Sequence, residues 1–462
     1  MTKTSKIHFE ISERKVLLRL LDILTVFFVL YGVGEVFVFD YFKIAKDRWE
    51  WLIVLALYLS IFGTIFELYD LQKASKLDVV FKNIVLTSSL TVLLYLLTPF
   101  YTPQLPGNRI QILFFFLSII FALFLWRLAY ITLISSPRFY KRILIIGNLE
   151  NMDVIVNTIE KSDPNYKVVG FINAGKELVN RDSKLPEFRT SDLKRIITEN
   201  SISEIIIAGT ISKRLSLPIY TQLLDLLERG FSIKEYTQVY EDLTYRVPVH
   251  HIDKDFYRYF PFSRSNQNKL YLFFHRLMDI VLSLIGLSMG LVLFPFILIG
   301  NIFGNRGPLF YFQERVGKNG KTFFIIKFRT MIKNAESDGA KWSTEGDKRV
   351  TNFGRFLRKT RLDEIPQFIN ILKGDMSIIG PRPERPVFVK ELSREIPFYE
   401  IRHIIKPGLT GWAQVKSNYA ASKEDALEKL QYDLYYIKKR SVFLDFNILI
   451  KTLSTILFYR GH

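Results

Sequence analysis

Apolar positions run in long uninterrupted blocks through the first third of the chain and in short alternating ones afterwards. Four blocks, Leu17–Phe39, Trp51–Tyr69, Val79–Tyr101 and Ile110–Ile134, are each long enough to cross a bilayer core of about 30 Å. Four in a row predict a four-helix transmembrane bundle over residues 1–136 rather than buried helices of a large soluble protein. Lysine and arginine orient it. The N-terminal arm carries Lys3, Lys6, Arg14 and Lys15, the Asp70–Asp78 loop Lys73 and Lys76, and the exit Arg138, Lys141 and Arg142. The Thr102–Arg109 loop has one arginine at its edge, while Asp40–Glu50 is mixed, with Lys43, Lys46 and Arg48. Both ends are expected in the cytoplasm. No convincing signal-peptide cleavage site follows the basic arm.

From Lys141 the period shortens. KRILIIGN, KVVGFIN, EIIIAG and FSIKEY read as strands, with helical stretches near Met152–Lys161, Ser191–Asn200 and Ser216–Arg229 between them. The alternation predicts an open, mostly parallel α/β sheet over 137–240, a Rossmann-like domain. A dinucleotide fingerprint would put G-x-G-x-x-G in the first turn, but IGNLENMD holds only Gly147. The module is therefore expected to be structural or regulatory. Residues 241–270, with His250 and His251, show no period and read as a linker that packs against its neighbours.

Residues 271–462 mix both patterns. Ile280–Gly300 is uncharged and long enough to span, yet Pro295 inside it bends a helix, and Gly286 and Gly290 allow close packing. PLFYFQER and KTFFIIKF flank Gly317-Lys318-Asn319-Gly320 and predict a hairpin. Lys333–Phe353, with Trp342, is a polar loop, and Arg349–Arg361 a basic helix. In TRLDEIPQFINILKG the apolar Leu362, Ile365, Ile369 and Leu372 predict a short helix that buries this face and ends at Lys373-Gly374. Asp363 and Glu364 would then sit at its N-terminus. Phe388–Glu395 and Asp425–Lys439 read as helices. Val442–Phe458, interrupted by Asp445 and Lys451, is expected to lie along a membrane interface.

Composition sharpens this picture. Hydrophobic residues make up 49% and aromatics 15%, with 40 Phe and a mean hydropathy of +0.14, which indicates a part-membrane protein. The net charge of +18 points to nucleic acid, anionic lipid or a phosphate-rich substrate. Cysteine is absent, which excludes disulfides, thiolate metal sites and a cysteine nucleophile. The six histidines have no zinc-ligand spacing. Around the acid pair stand Arg358, Lys359 and Arg361 on one side and Arg382 and Arg385 on the other. Paired carboxylates inside such a cluster suit phosphate chemistry with a divalent metal. A capped surface helix with salt bridges is the structural alternative.

Three long motifs, GPLFYFQERVGKNGKTFFIIKFRTM, TRLDEIPQFINILKGDMSIIGPRPERP and IKPGLTGWAQV, resemble the bacterial sugar transferases, the polyprenyl-phosphate hexose-1-phosphate transferases. The motif resemblance covers about Arg276 to Tyr459, and the whole chain looks like the large monotopic phosphoglycosyl transferases. The resemblance implies a mainly helical catalytic domain at 271–462. In it a re-entrant helix at about 277–302, kinked at Pro295, enters and leaves on the cytoplasmic side, with Arg276 and Asp279 at the interface. His275-Arg276 stands where the family usually has Lys-Arg. The implied reaction moves a sugar 1-phosphate from a UDP-sugar to polyprenyl (undecaprenyl) phosphate. It releases UMP and starts exopolysaccharide, capsule or O-antigen assembly at the bacterial inner membrane. By resemblance Asp363 is the covalent nucleophile and Glu364 helps bind Mg2+. Arg382, with Arg358 or Arg361, holds phosphate charge, and Lys327, Arg329 and Gln367 contribute to substrate binding. Trp412 and Gln414 are placed to touch substrate or to pack. A homodimer is implied and a nucleic-acid partner is not. Two other classes compete: a membrane-anchored NAD-dependent nucleotide-sugar dehydratase or epimerase, and a non-enzymatic basic membrane scaffold. The incomplete glycine fingerprint and the missing Y-x-x-x-K context oppose the first. No residue identifies the sugar.

Overall fold

The computed structural model describes residues 11–37, 41, 48–70, 77–134, 140–147, 152–163, 165–173, 185–188, 193–208, 217–249, 268–333, 335, 347–417 and 422–457. Outside these lie Lys3, Lys6, Lys43, Lys46, Lys73, Lys76 and Arg138, the turn after Gly147, His250, His251 and Trp342. The chain divides into two compact units, Met1–Thr244 and Tyr245–His462.

The first unit opens with four apolar helices, α1 (Ile11–Phe37), α2 (Trp49–Ile65), α3 (Leu77–Leu97) and α4 (Ile110–Ala129, continued by a π-helical turn to Ile134). By length and composition α1, α3 and α4 can each cross a membrane. At 17 residues α2 is shorter than its apolar block, about 26 Å. Its helix stops at Ile65, and Glu67 turns the chain with φ +58°. Leu18, Val26, Leu55, Leu59, Ile84, Ile119 and Leu123 fill the bundle centre. Leu20, Leu24, Phe28, Phe81, Leu93, Leu117 and Phe121 stay exposed on its outside. Helices apolar on every side suit a lipid surround. A buried ion pair crosses the interior: Arg127 Nη2 donates to Asp22 Oδ2 at 2.7 Å.

The four expected strands follow: β1 (Lys141–Gly147), β2 (Tyr166–Asn173), β3 (Glu204–Ala208) and β4 (Ser232–Glu235), all parallel, in the order β2-β1-β3-β4. Helices α5 (Met152–Ser162), α6 (Leu193–Glu199), α7 (Leu217–Glu228) and α8 (Tyr236–Thr244) complete the α/β layer. Ile143 and Ile145 of β1 enter one core and Leu144 and Ile146 another, so both sheet faces are covered. Gly147 has a packing role. A Cβ there would stand 2.4 Å from the Ala208 carbonyl oxygen.

The second unit is built on α9 (Lys269–Gly300), one helix of 32 residues with Pro295 inside it. Asn268 caps its start through the Leu270 and Tyr271 N–H groups. The hairpin pairs β5 (Phe310–Val316) with β6 (Thr322–Phe328) in antiparallel register through the expected turn, where Asn319 and Gly320 take positive φ. Next come α10 (Asn352–Lys359), a 3-10 turn at Leu362–Glu364, α11 (Gln367–Lys373) and β7 (Ser377–Ile379). They are followed by α12 (Pro386–Glu395), β8 (Gly408–Thr410), α13 (Trp412–Lys416), α14 (Lys423–Lys439) and α15 (Val442–Leu457).

Three features differ from expectation. The acid pair lies in the separate 3-10 turn, because Arg361 takes a left-handed φ of 59° and α11 begins only after Pro366. The buried face of α11 is also rotated: Asn370 and Ile371 are inside while Ile369 is exposed. A helix of two turns clamped between two neighbours need not bury one stripe. The PGLTG segment, whose proline and glycines suggest a loop, forms strand β8 parallel to β7. Its glycines make this possible, since a Cβ on Gly408 would lie 2.1 Å from the Gly380 nitrogen.

Tyr245–Val249, inside the predicted linker, belongs to the second unit. Val247 and Val249 are in its core, and Trp412 Nε1 donates to the Tyr245 carbonyl.

Candidate active site

Three elements bring charge to the acid pair. Thr351 caps α10 by accepting from Gly354 N–H at 2.8 Å, and Gly354 lies so close to the Thr330 backbone that a side chain is excluded. This seats Arg358, whose Nε donates to Thr330 Oγ1 at 3.0 Å. From the hairpin comes Lys327 and from the Pro-Arg-Pro loop Arg382.

Lys327 and Arg382, with Arg361 from just before the acid turn, converge on Glu364. Arg382 Nη2 donates to its Oε1 at 3.0 Å, Lys327 Nζ stands 3.5 Å from the same oxygen, and Arg361 Nη1 is 3.6 Å from Oε2. Gln414 Oε1 accepts from Arg382 Nη1 at 2.9 Å, so Arg382 bridges the acid turn and α13. Asp363 is treated differently. It is equally buried, but its Oδ1 has no hydrogen-bond partner, and neither has Nε2 of buried Gln367. Arg329 is engaged elsewhere, its Nε donating to the Pro308 carbonyl at 3.0 Å.

The electrostatics follow from this asymmetry. Burial first, and then the neighbouring Glu364 charge, pushes Asp363 up to about 6. Burial would also raise Glu364, but Arg382, Lys327 and Arg361 together outweigh it and hold that carboxyl well below its usual range. Lys327 falls to about 8, because burial outweighs the attraction of Glu364 and Asp363. One carboxylate is thus a fixed anion, and its neighbour titrates near neutrality with an oxygen free.

The residue that sets the distance from hairpin to acid turn is scarcely marked in the sequence. Asn370 Oδ1 accepts from Ile326 N–H at 3.0 Å, and its Nδ2 donates to the Phe324 carbonyl at 2.8 Å. The α11 side chain thereby acts as a strand partner for β6 and fixes Lys327 opposite Glu364. The only signal was one amide inside FINIL.

The helix α9 lies along this body. Arg276 donates to the Ile371 and Leu372 carbonyls at 2.7 and 2.8 Å, capping the end of α11. Asp279 is buried and accepts from Ser377 Oγ and Ile378 N–H, each at 2.8 Å. Gly286 meets Phe368, Gly290 meets Ile365, and Gly300 and Gly304 meet Phe353. Arg276 and Asp279, expected at a membrane interface, are thus held by protein partners. On α15, Asp445 turns inward and accepts from the Tyr271 and Tyr436 hydroxyls at 2.6 and 2.8 Å, leaving Val442, Phe443 and Phe446 exposed.

Residues 270–459 match the family model of the bacterial sugar transferases. The chain is 45% identical over 222 residues to the UDP-N-acetylgalactosamine-undecaprenyl-phosphate N-acetylgalactosaminephosphotransferase of Aeromonas hydrophila, covering 48% of this chain and 51% of that protein. It is 43% identical over 150 residues to the UDP-glucose:undecaprenyl-phosphate glucose-1-phosphate transferase of Escherichia coli, 32% of each chain. With the uncharacterized sugar transferase EpsL of Bacillus subtilis it shares 40% identity over 158 residues, which are 33% of this chain and 72% of that one. The chain spans about half the length, or less, of the larger relatives it matches. The smaller one is covered over most of its length, and the chain belongs to the bacterial sugar transferase family.

Proposed function

We propose that the second unit transfers a sugar 1-phosphate from a UDP-sugar to a polyprenyl phosphate, through a phosphosugar held on Asp363. The observation that carries this reading is the unpartnered, buried Asp363 Oδ1 beside a Glu364 already satisfied by cations. Asp363 Oδ1 attacks the phosphorus that bears the sugar. The bond from that phosphorus to the bridging oxygen breaks, and its electron pair leaves with UMP. An oxygen of the polyprenyl phosphate then attacks the same phosphorus and frees the carboxylate. Arg382, Lys327, Arg361 and Arg358 face the charge on the two phosphates. Asp363 and Glu364, two adjacent carboxylates, are the residues that would hold Mg2+, sharing it with the substrate phosphates. Among the described residues no group of three or more His, Asp or Glu forms a self-sufficient metal site, in keeping with such sharing. When bound, the ion supplies neutralising charge to the diphosphate.

Membrane chemistry fits the course of α9. From Tyr271 to Gly304 one side of it meets the same protein body, while Phe273, Leu277, Leu284, Leu291, Val292 and Phe296 are exposed on the other. A helix leaving its domain to cross a bilayer would touch that body at one end alone. This supports a helix dipping into one leaflet, with the active site facing the cytoplasm, where nucleotide sugars are found. The relatives' names carry both N-acetylgalactosamine and glucose, so the sugar is left open.

The test is UMP release from detergent-solubilised protein given polyprenyl phosphate, Mg2+ and a panel of UDP-sugars. Release with at least one sugar is expected. No release with any, from folded protein, overturns the reading.

A further inference from the structure

The loop Pro381–Glu384 joins β7 to α12 and carries Arg382. Pro381 and Pro383 have no N–H, so the loop cannot build a donor network of its own. All four of its carbonyls are met from outside. Pro381 accepts from Gly408 N–H at 2.8 Å and Glu384 from Val316 N–H at 2.9 Å. Pro383 accepts from Arg315 Nη1 at 3.0 Å, and Arg382 from Arg402 Nη2 at 3.0 Å. The loop is held by the hairpin on one side and by the turn before β8 on the other.

Arg402 is the unexpected member. It is buried, and its Nη2 also donates to buried Asp433 at 2.8 Å while Nη1 donates to the Tyr399 hydroxyl. A buried ion pair is a weak source of stability, since apolar residues of like volume often serve a core as well. What an apolar pair cannot do is hold the Arg382 carbonyl. That carbonyl is on the residue whose guanidinium reaches Glu364 at 3.0 Å and Gln414 at 2.9 Å.

We propose that Arg402, oriented by Asp433 and Tyr399, is a positioning residue that fixes the Arg382 backbone and so aims its guanidinium at the acid pair. The inference deepens, and rests on, the reading of Asp363 and Glu364 as a phosphate-transfer site. Arg402 touches no reacting atom. Misplacing a positioned group by about 1 Å costs roughly a hundredfold in rate, so the loss should appear in kcat.

The experiment uses the full chain in detergent. R402M/D433L removes both buried charges and keeps apolar bulk. R402K keeps a charge against Asp433 and loses the fork, and serves if the double variant does not fold. Two readouts are taken. Hydrogen–deuterium exchange should rise at 380–388 while the α14 peptide keeps its protection. This needs no substrate, so it separates failure of the positioning idea from failure of the proposed reaction. UMP release should fall roughly 10- to 100-fold in kcat. In an Arg382→Ala background the same change should produce no further loss, because it acts through Arg382. Unchanged exchange at 380–388 overturns the proposal. So does a loss that multiplies with Arg382→Ala.

Discussion

In the N-terminal bundle, apolar helices pack on one another. Leu18, Leu59, Ile84 and Ile119 meet at its centre, and the ion pair of Asp22 with Arg127 crosses between helices. The helix α9 is as apolar but packs on a polar, catalytic body. Its glycines lie against Phe368, Ile365 and Phe353, and its charges grip main-chain groups of that body. Hydropathy alone cannot separate the two cases. The contacts can: in the bundle Asp22 has a cation of its own, Arg127 at 2.7 Å, whereas in the second unit Lys327, Arg361 and Arg382 all go to Glu364 and Asp363 Oδ1 accepts from none of them. A carboxylate with its own cation serves assembly, and one whose neighbour takes the cations leaves a place for a substrate.

The strongest test of that contrast is chemical. Asp363→Asn should lower UMP release at least about a thousandfold with the melting temperature kept, while Asp22→Asn should leave turnover per folded molecule unchanged. Similar losses from both would erase the distinction. Next in size is packing. A Cβ on Gly286 would lie 2.2 Å from the Phe368 ring, so Gly286→Leu should cost about 1–3 kcal/mol and reduce activity with it. Leu24→Ala, on the outward face of α1, should stay within about 0.5 kcal/mol. Thermal melts in one detergent compare them. The bundle pair is tested by its own asymmetry. Arg127→Leu alone strands Asp22 and should cost about 3 kcal/mol, and adding Asp22→Leu should restore most of it. An additive double variant would show that the charges do not form a unit.

The pH profile is a smaller effect. Asp363 must be ionised to attack, so UMP release should rise as pH climbs through about 6. It should fall beyond about 8 as Lys327 loses its proton, and Lys327→Arg should remove that alkaline limb. A flat profile from pH 5 to 9 would argue that neither group titrates in the working enzyme. The smallest expected signal concerns Pro295. With Lys348→Cys as the chain's one thiol, intact cells should resist an impermeant thiol reagent. Adding Pro295→Leu should make a minor fraction reactive. Labelling of the Pro295 form would make α9 a crossing helix.

Much of the architecture was legible because single elements carry it. The central strands β1 and β3 carry the uninterrupted runs ILII and III, and the hairpin announces its turn with KNG. The acid pair and its flanking arginines were legible for the same reason, being adjacent in the chain. What stayed hidden needs two distant segments at once. Arg402 and Asp433 are 31 residues apart, and nothing local marks either as buried. The glycines of GPRP and PGLTG look like loop punctuation until the strands they belong to meet. The outward turn of Ile369 was missed because a stripe argument assumes one buried side, and α11 has the apolar helix α9 on one flank and the hairpin on the other.

The strap Tyr245–Val249 gives the second unit a mechanical handle. Its first carbonyl is held by Trp412, and Trp412 stands two residues from Gln414, which holds Arg382. Tension on the chain arriving from Thr244 therefore meets the indole first, within one helical turn of the Gln414 clamp on the active-site guanidinium. A tether or fusion that ends at Tyr245 pulls towards the candidate site, whereas a cut made at Tyr271 removes Val247 and Val249 from the core of the second unit.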